Sequence, residues 1–171
     1  RSPSTFMRVA GTGATALNVG GALTNSSTGT LKANALSAQS GGTLANSGVI
    51  SADTGDATLR LAGGLNNSGE LYAAKRLDIA DRNGAGTAAF TNSGEVIAGT
   101  QLALQGSTLT NSKGGWIQAG TGSTVTGASL TNIGDWLMAT QAGNASTINV
   151  TGALTNSGTL QALNDAQLTA Q

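Results

Sequence analysis

Acid–base and ionic chemistry in this chain rests on eight carboxylates and eight Lys or Arg side chains, because it contains no histidine and no cysteine. Without His the commonest general base and metal ligand is missing, and neither a Ser-His-Asp nor a Cys-His nucleophile can be assembled. Without Cys there is no disulfide and no thiolate for redox or metal work. The carboxylates that cluster do so loosely, Asp53 with Asp56 and Asp78 with Asp81. Such pairs could flank a glycosidic bond or contribute to a calcium site. Asp78, however, lies between apolar Leu77 and Ile79 and is expected to face water. No Gly-Gly-x-Gly-x-Asp calcium repeat occurs, and Gly11-Thr-Gly13 and Gly84-Ala-Gly86 lack the rest of a nucleotide loop. Lys75, Arg76 and Arg82 form a basic cluster offset by Asp78 and Asp81; it could meet a sugar sulfate or lipid headgroup, but a solvated face is the favoured reading. The expectation is a protein that is not an enzyme and holds neither cofactor nor metal.

Composition sets the frame in which these residues must sit. Charged residues are 9% of the chain and cancel to a net charge of zero, so no long-range field recruits nucleic acid or an acidic membrane. Aromatic content is 3%, with 26 glycines, so the core must be thin and built from Leu, Ile, Val and Ala. Regularly spaced hydrophobic residues, 39% of the total, argue against disorder. No apolar run approaches the roughly 18 residues of a membrane span, so the chain is not expected to be membrane-embedded. The first six residues lack the apolar core of a signal peptide, and the last four read as the middle of a repeat. Both ends therefore read as cuts in a longer filament.

The organising feature is an internal repeat. One phrase recurs as Leu23-Thr-Asn25, Leu44-Ala-Asn46, Leu65-Asn-Asn67, Phe90-Thr-Asn92, Leu109-Thr-Asn111, Leu130-Thr-Asn132 and Leu154-Thr-Asn156, with steps of 21, 21, 25, 19, 21 and 24 residues. Within a copy every second residue is apolar or small: Leu59, Leu61, Gly63, Leu65, Asn67, Gly69, Leu71, Ala73. A period of two means extended strand with one buried face. Glycines cut each copy into three short pieces, and their backbone freedom is expected to make the corners. Three strands and three corners in ~21 residues form one triangular coil, and successive coils stack in parallel at ~4.8 Å. The predicted fold is an all-β parallel β-helix (β-solenoid) of about seven such coils. Residues 1–171 form one segment, with 1–16 irregular or an incomplete first coil and 17–168 the repeats.

Parity places Asn25, Asn46, Asn67, Asn92, Asn111, Asn132 and Asn156 inside at a corner, where a stacked ladder of amides would satisfy one another and the free backbone groups. An outward Asn in an ordinary turn is the alternative. If Ile117 and Leu137 point inward, Trp116 and Trp136 point outward and join Ile97 and Met138 in one exposed apolar strip, a candidate interaction patch. The plainer reading is an aromatic ladder that stabilises the sheet. Irregular corners follow Asn25, Asn111 and Asn132, and loops are expected at 80–89 and 140–147.

The phrase Leu-x-Asn-Ser-Gly-x-Leu-x-Ala, seen as Leu154-Thr-Asn-Ser-Gly-Thr-Leu-Gln-Ala162 and Leu65-Asn-Asn-Ser-Gly-Glu-Leu-Tyr-Ala73, resembles the filamentous haemagglutinin repeat over residues 17–168. The resemblance implies the right-handed β-helical shaft of a large exoprotein of a Gram-negative bacterium, secreted to the cell surface through an outer-membrane two-partner secretion transporter. Members include host-cell adhesins and the stalks of contact-dependent growth inhibition effectors. The expected function is a structural shaft presenting a distal receptor-binding or toxin tip to a host or target cell. The alternative is an adhesive module that binds host glycans or proteins through the Trp strip or the corner loops.

Overall fold

The computed structural model describes residues 8–84 and 86–171, with side chains from residue 13 onward. Among them there is no helix, and every strand pairing is parallel. The chain winds as a β-solenoid of about seven turns roughly 21 residues apart.

Three families of strands alternate along the chain. The first carries the asparagines: β2 (Leu23–Asn25), β4 (Leu44–Asn46), β7 (Leu65–Asn67), β10 (Phe90–Asn92), β13 (Thr108–Asn111), β16 (Ser129–Asn132) and β19 (Leu154–Asn156). These make a seven-stranded sheet. The second is β5 (Val49–Ala52), β8 (Glu70–Ala73), β11 (Glu95–Ala98), β14 (Trp116–Ala119), β17 (Asp135–Ala139) and β20 (Thr159–Ala162). The third is β6 (Ala57–Leu61), β9 (Leu77–Asp81), β12 (Gln101–Gln105), β15 (Gly122–Gly127), β18 (Ser146–Val150) and β21 (Ala166–Thr169). The long β3 (Thr30–Ser40) belongs to both, pairing with β5 through its first half and β6 through its second, and β1 (Arg8–Val19) lies along it.

The register sets like residues on like. Leu31, Ile50, Leu71, Val96, Ile117, Trp136 and Leu160 form one inward column. Ala33, Ala52, Ala73, Ala98 and Ala119 form a second. Ala38, Leu59, Ile79, Leu104, Val125 and Ile148 form a third. One coil alone has almost nothing to bury its inner face against. Stacking supplies the partner, so the core is a narrow apolar channel along the solenoid axis.

The two-residue corner after Asn46, Asn67, Asn92, Asn132 and Asn156, Ser-Gly in four of them and Ile-Gly after Asn132, needs glycine for a reason other than the freedom expected of it. Gly48, Gly69, Gly94, Gly134 and Gly158 are not in the left-handed region, which among the described residues holds only Gly64, Gly84, Gly86 and Gly114. A Cβ on Gly69 would instead land on the carbonyl oxygen of Gly48 one coil below, and one on Gly94 on that of Gly69. Close approach of stacked backbones selects glycine there.

Candidate functional site

The most regular polar structure in the molecule runs inside it. Each asparagine's Nδ2 donates to Oδ1 of the asparagine one coil on: Asn25 to Asn46, Asn46 to Asn67 and Asn67 to Asn92 at 2.8 Å, Asn92 to Asn111 and Asn111 to Asn132 at 2.9 Å, and Asn132 to Asn156 at 2.8 Å. The same nitrogen reaches two corner carbonyls. For Asn67 these are Gly69 at 3.1 Å and Glu95 of the next coil at 3.0 Å. For Asn111 they are Gly115 and Asp135, both at 3.2 Å. The amides from Asn25 to Asn132 are buried, and Asn156 on the last coil is exposed. A primary amide is suited to this place because it both donates and accepts, so one residue type repeats indefinitely with no charge to desolvate.

The proposed apolar strip is not a strip. Trp136 is 1% exposed and Met138 2%, both in the core, while Trp116 and Ile97 are half-buried on the outer side of the sheet. The reason is register. Ile133-Gly134 is a corner of the same length as Ser-Gly, so Trp136, fourth after Asn132, takes the inward place of Leu71 and Leu160. The extra residue is absorbed later, where the register shifts between Leu137 and Ala139. The carbonyl of Met138, freed there, accepts from Ser123 Oγ at 2.9 Å and Ser146 Oγ at 3.2 Å, two buried hydroxyls on β15 and β18. Leu137 is thus outward, and Trp116 shares its outer column with Glu70, Glu95 and Asp135. The buried indole Nε1 of Trp136 has no hydrogen-bond partner among the described residues. Ile133, in the serine's outward place, is 44% exposed.

The two pairs of aspartates separate as well. Asp53 and Asp56 are exposed, and Asp56 Oδ1 accepts from the Arg76 backbone N–H at 3.0 Å. Asp78 points outward and is half-buried between two guanidinium groups, Arg60 Nη1 at 2.8 Å and Arg76 Nη2 at 3.3 Å. Asp81 has the opposite parity and is 3% exposed. Its Oδ1 accepts from Asn83 N at 2.8 Å, and its Oδ2 accepts from Thr87 N at 2.8 Å, Thr87 Oγ1 at 3.0 Å and Ala88 N at 3.1 Å. Asp78 and Asp81 therefore serve opposite sides of β9 and do not form one acid–base pair. Sequence reasoning missed the role of Asp81, although its alternation with Leu77 and Ile79 carried the signal.

Asp81 pins the loop that follows β9. The Asn83 N–H does most to hold its carboxyl below the ordinary aspartate range, joined by the Thr87 and Ala88 N–H groups and the Thr87 hydroxyl, against an opposing push from burial. A lowered value in the folded chain means the carboxylate stabilises the loop above the ordinary carboxyl range, and that contribution disappears as pH falls through the lowered value. Amide chemical shifts of Asn83, Thr87 and Ala88 are expected to stay constant from neutral pH to about pH 4 and to move together below it. Asp81→Asn should shift them at neutral pH and remove the acid transition. Unchanged shifts in that variant would show that the loop holds itself.

Arg60, Arg76 and Arg82 line a groove of about 340 Å³ on the outer side of the third strand family, with Asp78, Gln105, Thr124 and Thr126. Asp78 pairs with two of the three guanidinium groups, and Arg76 Nη1 also donates to Gln101 Oε1 at 3.2 Å. Arg82, on the loop, pairs with no described carboxylate. Among the described residues no group of three or more His, Cys, Asp or Glu could hold a metal, and no helix is long and apolar enough to cross a membrane.

Fold and site together define a class: a parallel β-solenoid whose coils are joined through an internal asparagine ladder. Comparison with protein-family models, with curated proteins and with solved structures yields no match to this chain.

Proposed function

We propose that this chain is a shaft segment of an exported bacterial surface filament, a rigid spacer that carries a receptor-binding or toxin-bearing tip away from the cell. The observation that carries the reading is the unbroken ladder of seven in-register asparagines. It makes each coil interchangeable with the next, which a spacer needs and a catalytic or receptor domain does not. Passage through an outer-membrane two-partner secretion transporter and display at the surface, toward a host or target-cell receptor, belong to this reading through the resemblance of the repeat. Seven coils span on the order of 35 Å.

Removing one whole coil tests interchangeability. Excising residues 112–132 brings Asn111 directly before Ile133-Gly134, so the ladder and corner are preserved. The shortened chain should keep its parallel-β circular dichroism and lose about 4.8 Å of rod length by small-angle scattering. An unfolded product would sink the spacer reading.

The arginine groove favours a second reading, direct contact with an acidic glycan. The folded fragment would then retain dextran sulfate but not neutral dextran, and lose it on Arg60→Gln with Arg82→Gln. No retention leaves the shaft alone.

A further inference from the structure

The structure assigns Asn83–Gly84 as a self-modifying site, where this otherwise inert shaft deamidates spontaneously and changes the charge of its arginine groove. Asn83 is the one asparagine in the chain followed by glycine. Both residues are exposed, Gly84 is in the left-handed region at φ 65°, and the space where its Cβ would lie is empty. Those features suit intramolecular attack, because the following backbone nitrogen must swing toward the side-chain carbonyl and any Cβ obstructs it. The asparagines of the ladder stand at the other extreme. From Asn25 to Asn132 they are buried, their Nδ2 groups donate to the next coil, and Ser or Ile follows each one.

The chemistry needs only water. The Gly84 amide nitrogen, giving up its proton, attacks Cγ of Asn83, and a new N–C bond closes a five-membered imide. The Cγ–Nδ2 bond breaks, and the nitrogen leaves as ammonia after taking up a proton from solvent. Water then opens the ring at either carbonyl, giving aspartate or isoaspartate at position 83. Either product puts a carboxylate next to Arg82 on the rim of the groove, which Gly84 itself lines. The isoaspartyl product also adds a methylene to the main chain inside the turn pinned by Asp81.

Asp81 is the brake. Its Oδ1 holds the Asn83 N–H at 2.8 Å, and its carbonyl accepts from Gly84 N at 3.2 Å, a bond that must open before ring closure. Loosening the loop should therefore accelerate the reaction. The groove loses positive charge with age, at a rate set by how firmly the loop is held.

The test is incubation of the intact chain in mildly alkaline buffer, followed by tryptic mapping and isoaspartyl labelling. The peptide that begins at residue 83 is expected to gain about 1 Da, the exchange of NH2 for OH, with a rate rising in proportion to hydroxide. Asn83→Gln should abolish the gain, and Gly84→Ala should slow it about tenfold or more, or about 1.4 kcal/mol in barrier. Asp81→Asn should speed it. If ladder asparagines change as fast as Asn83, or if Asn83 changes in the urea-unfolded chain but never in the folded one, the assignment falls. An Asp81→Asn rate equal to the parent's would remove the brake from it.

Discussion

Replacing Trp136 with Ala is expected to cost about 3–5 kcal/mol of folding stability, while the same change at Trp116 costs less than about 1 kcal/mol. The difference follows from position. Trp136 is the largest fully buried side chain of the core, stacked between Ile117 and Leu160 on adjacent coils. Truncation there leaves a void that stacked backbones, locked by ladder hydrogen bonds on both sides, cannot close. Trp116 is half-buried on the outer face, between Glu95 and Asp135. Trp136→Leu is the informative intermediate. Every other coil in that column carries an aliphatic residue there, and the change also removes an indole N–H buried without a partner. Its cost should be well below that of Ala, because Leu refills most of the void that Ala leaves, while both changes remove the unsatisfied donor, itself worth about 1–3 kcal/mol. Guanidinium unfolding of the three variants measures the order. Equal losses at positions 116 and 136 would contradict the register described above.

Asn111→Ala should be comparably severe, about 2–5 kcal/mol, for a different reason. Truncation removes the acceptor of Asn92 Nδ2 and the donor of Asn132 Oδ1, and it strips the Gly115 and Asp135 carbonyls of their side-chain bonds. These groups lie where water does not reach, so the loss is not made good by solvent. The same substitution at Asn156, exposed on the last coil, removes a donation to Gly158 and one acceptor of Asn132 Nδ2, which keeps the Gly134 and Thr159 carbonyls, so it should cost only about 1 kcal/mol. A graded series, severe in the middle and mild at the end, is the signature of a ladder. A flat series would mean that each asparagine acts only within its own corner. Denaturant midpoints at fixed m-value separate the two outcomes.

Much of this protein is written in its local sequence. A strand's side chains alternate with a period of two whatever it packs against, so the Leu-x-Asn and Leu-x-Ala phrases determine which residues face the channel. Seven copies at about one spacing then require stacking, since a single coil can bury almost none of its apolar face. Parity also marks Asp81 as inward, continuing Leu77 and Ile79.

Parity is lost, however, wherever a coil carries an extra residue, because the chain can absorb it at any of several corners. After Asn111 two extra residues sit in the corner itself, Ser112 to Gly115, so parity is kept and Ile117 holds the inward place. After Asn132 the corner is of ordinary length and the surplus falls at Met138, whose carbonyl finds Ser123 and Ser146 waiting. Those hydroxyls lie on other strands, and only their arrival in space decides which slip leaves the freed carbonyl satisfied. The same holds for the corner glycines, selected by a carbonyl from the coil below, and for the groove, where Arg60 and Arg76 meet over Asp78 from different coils. Local alternation determined which side chains could be core. Contacts between coils decided which of the competing registers was kept, since hydrogen bonds and close backbone approach are settled only when one coil lies on another.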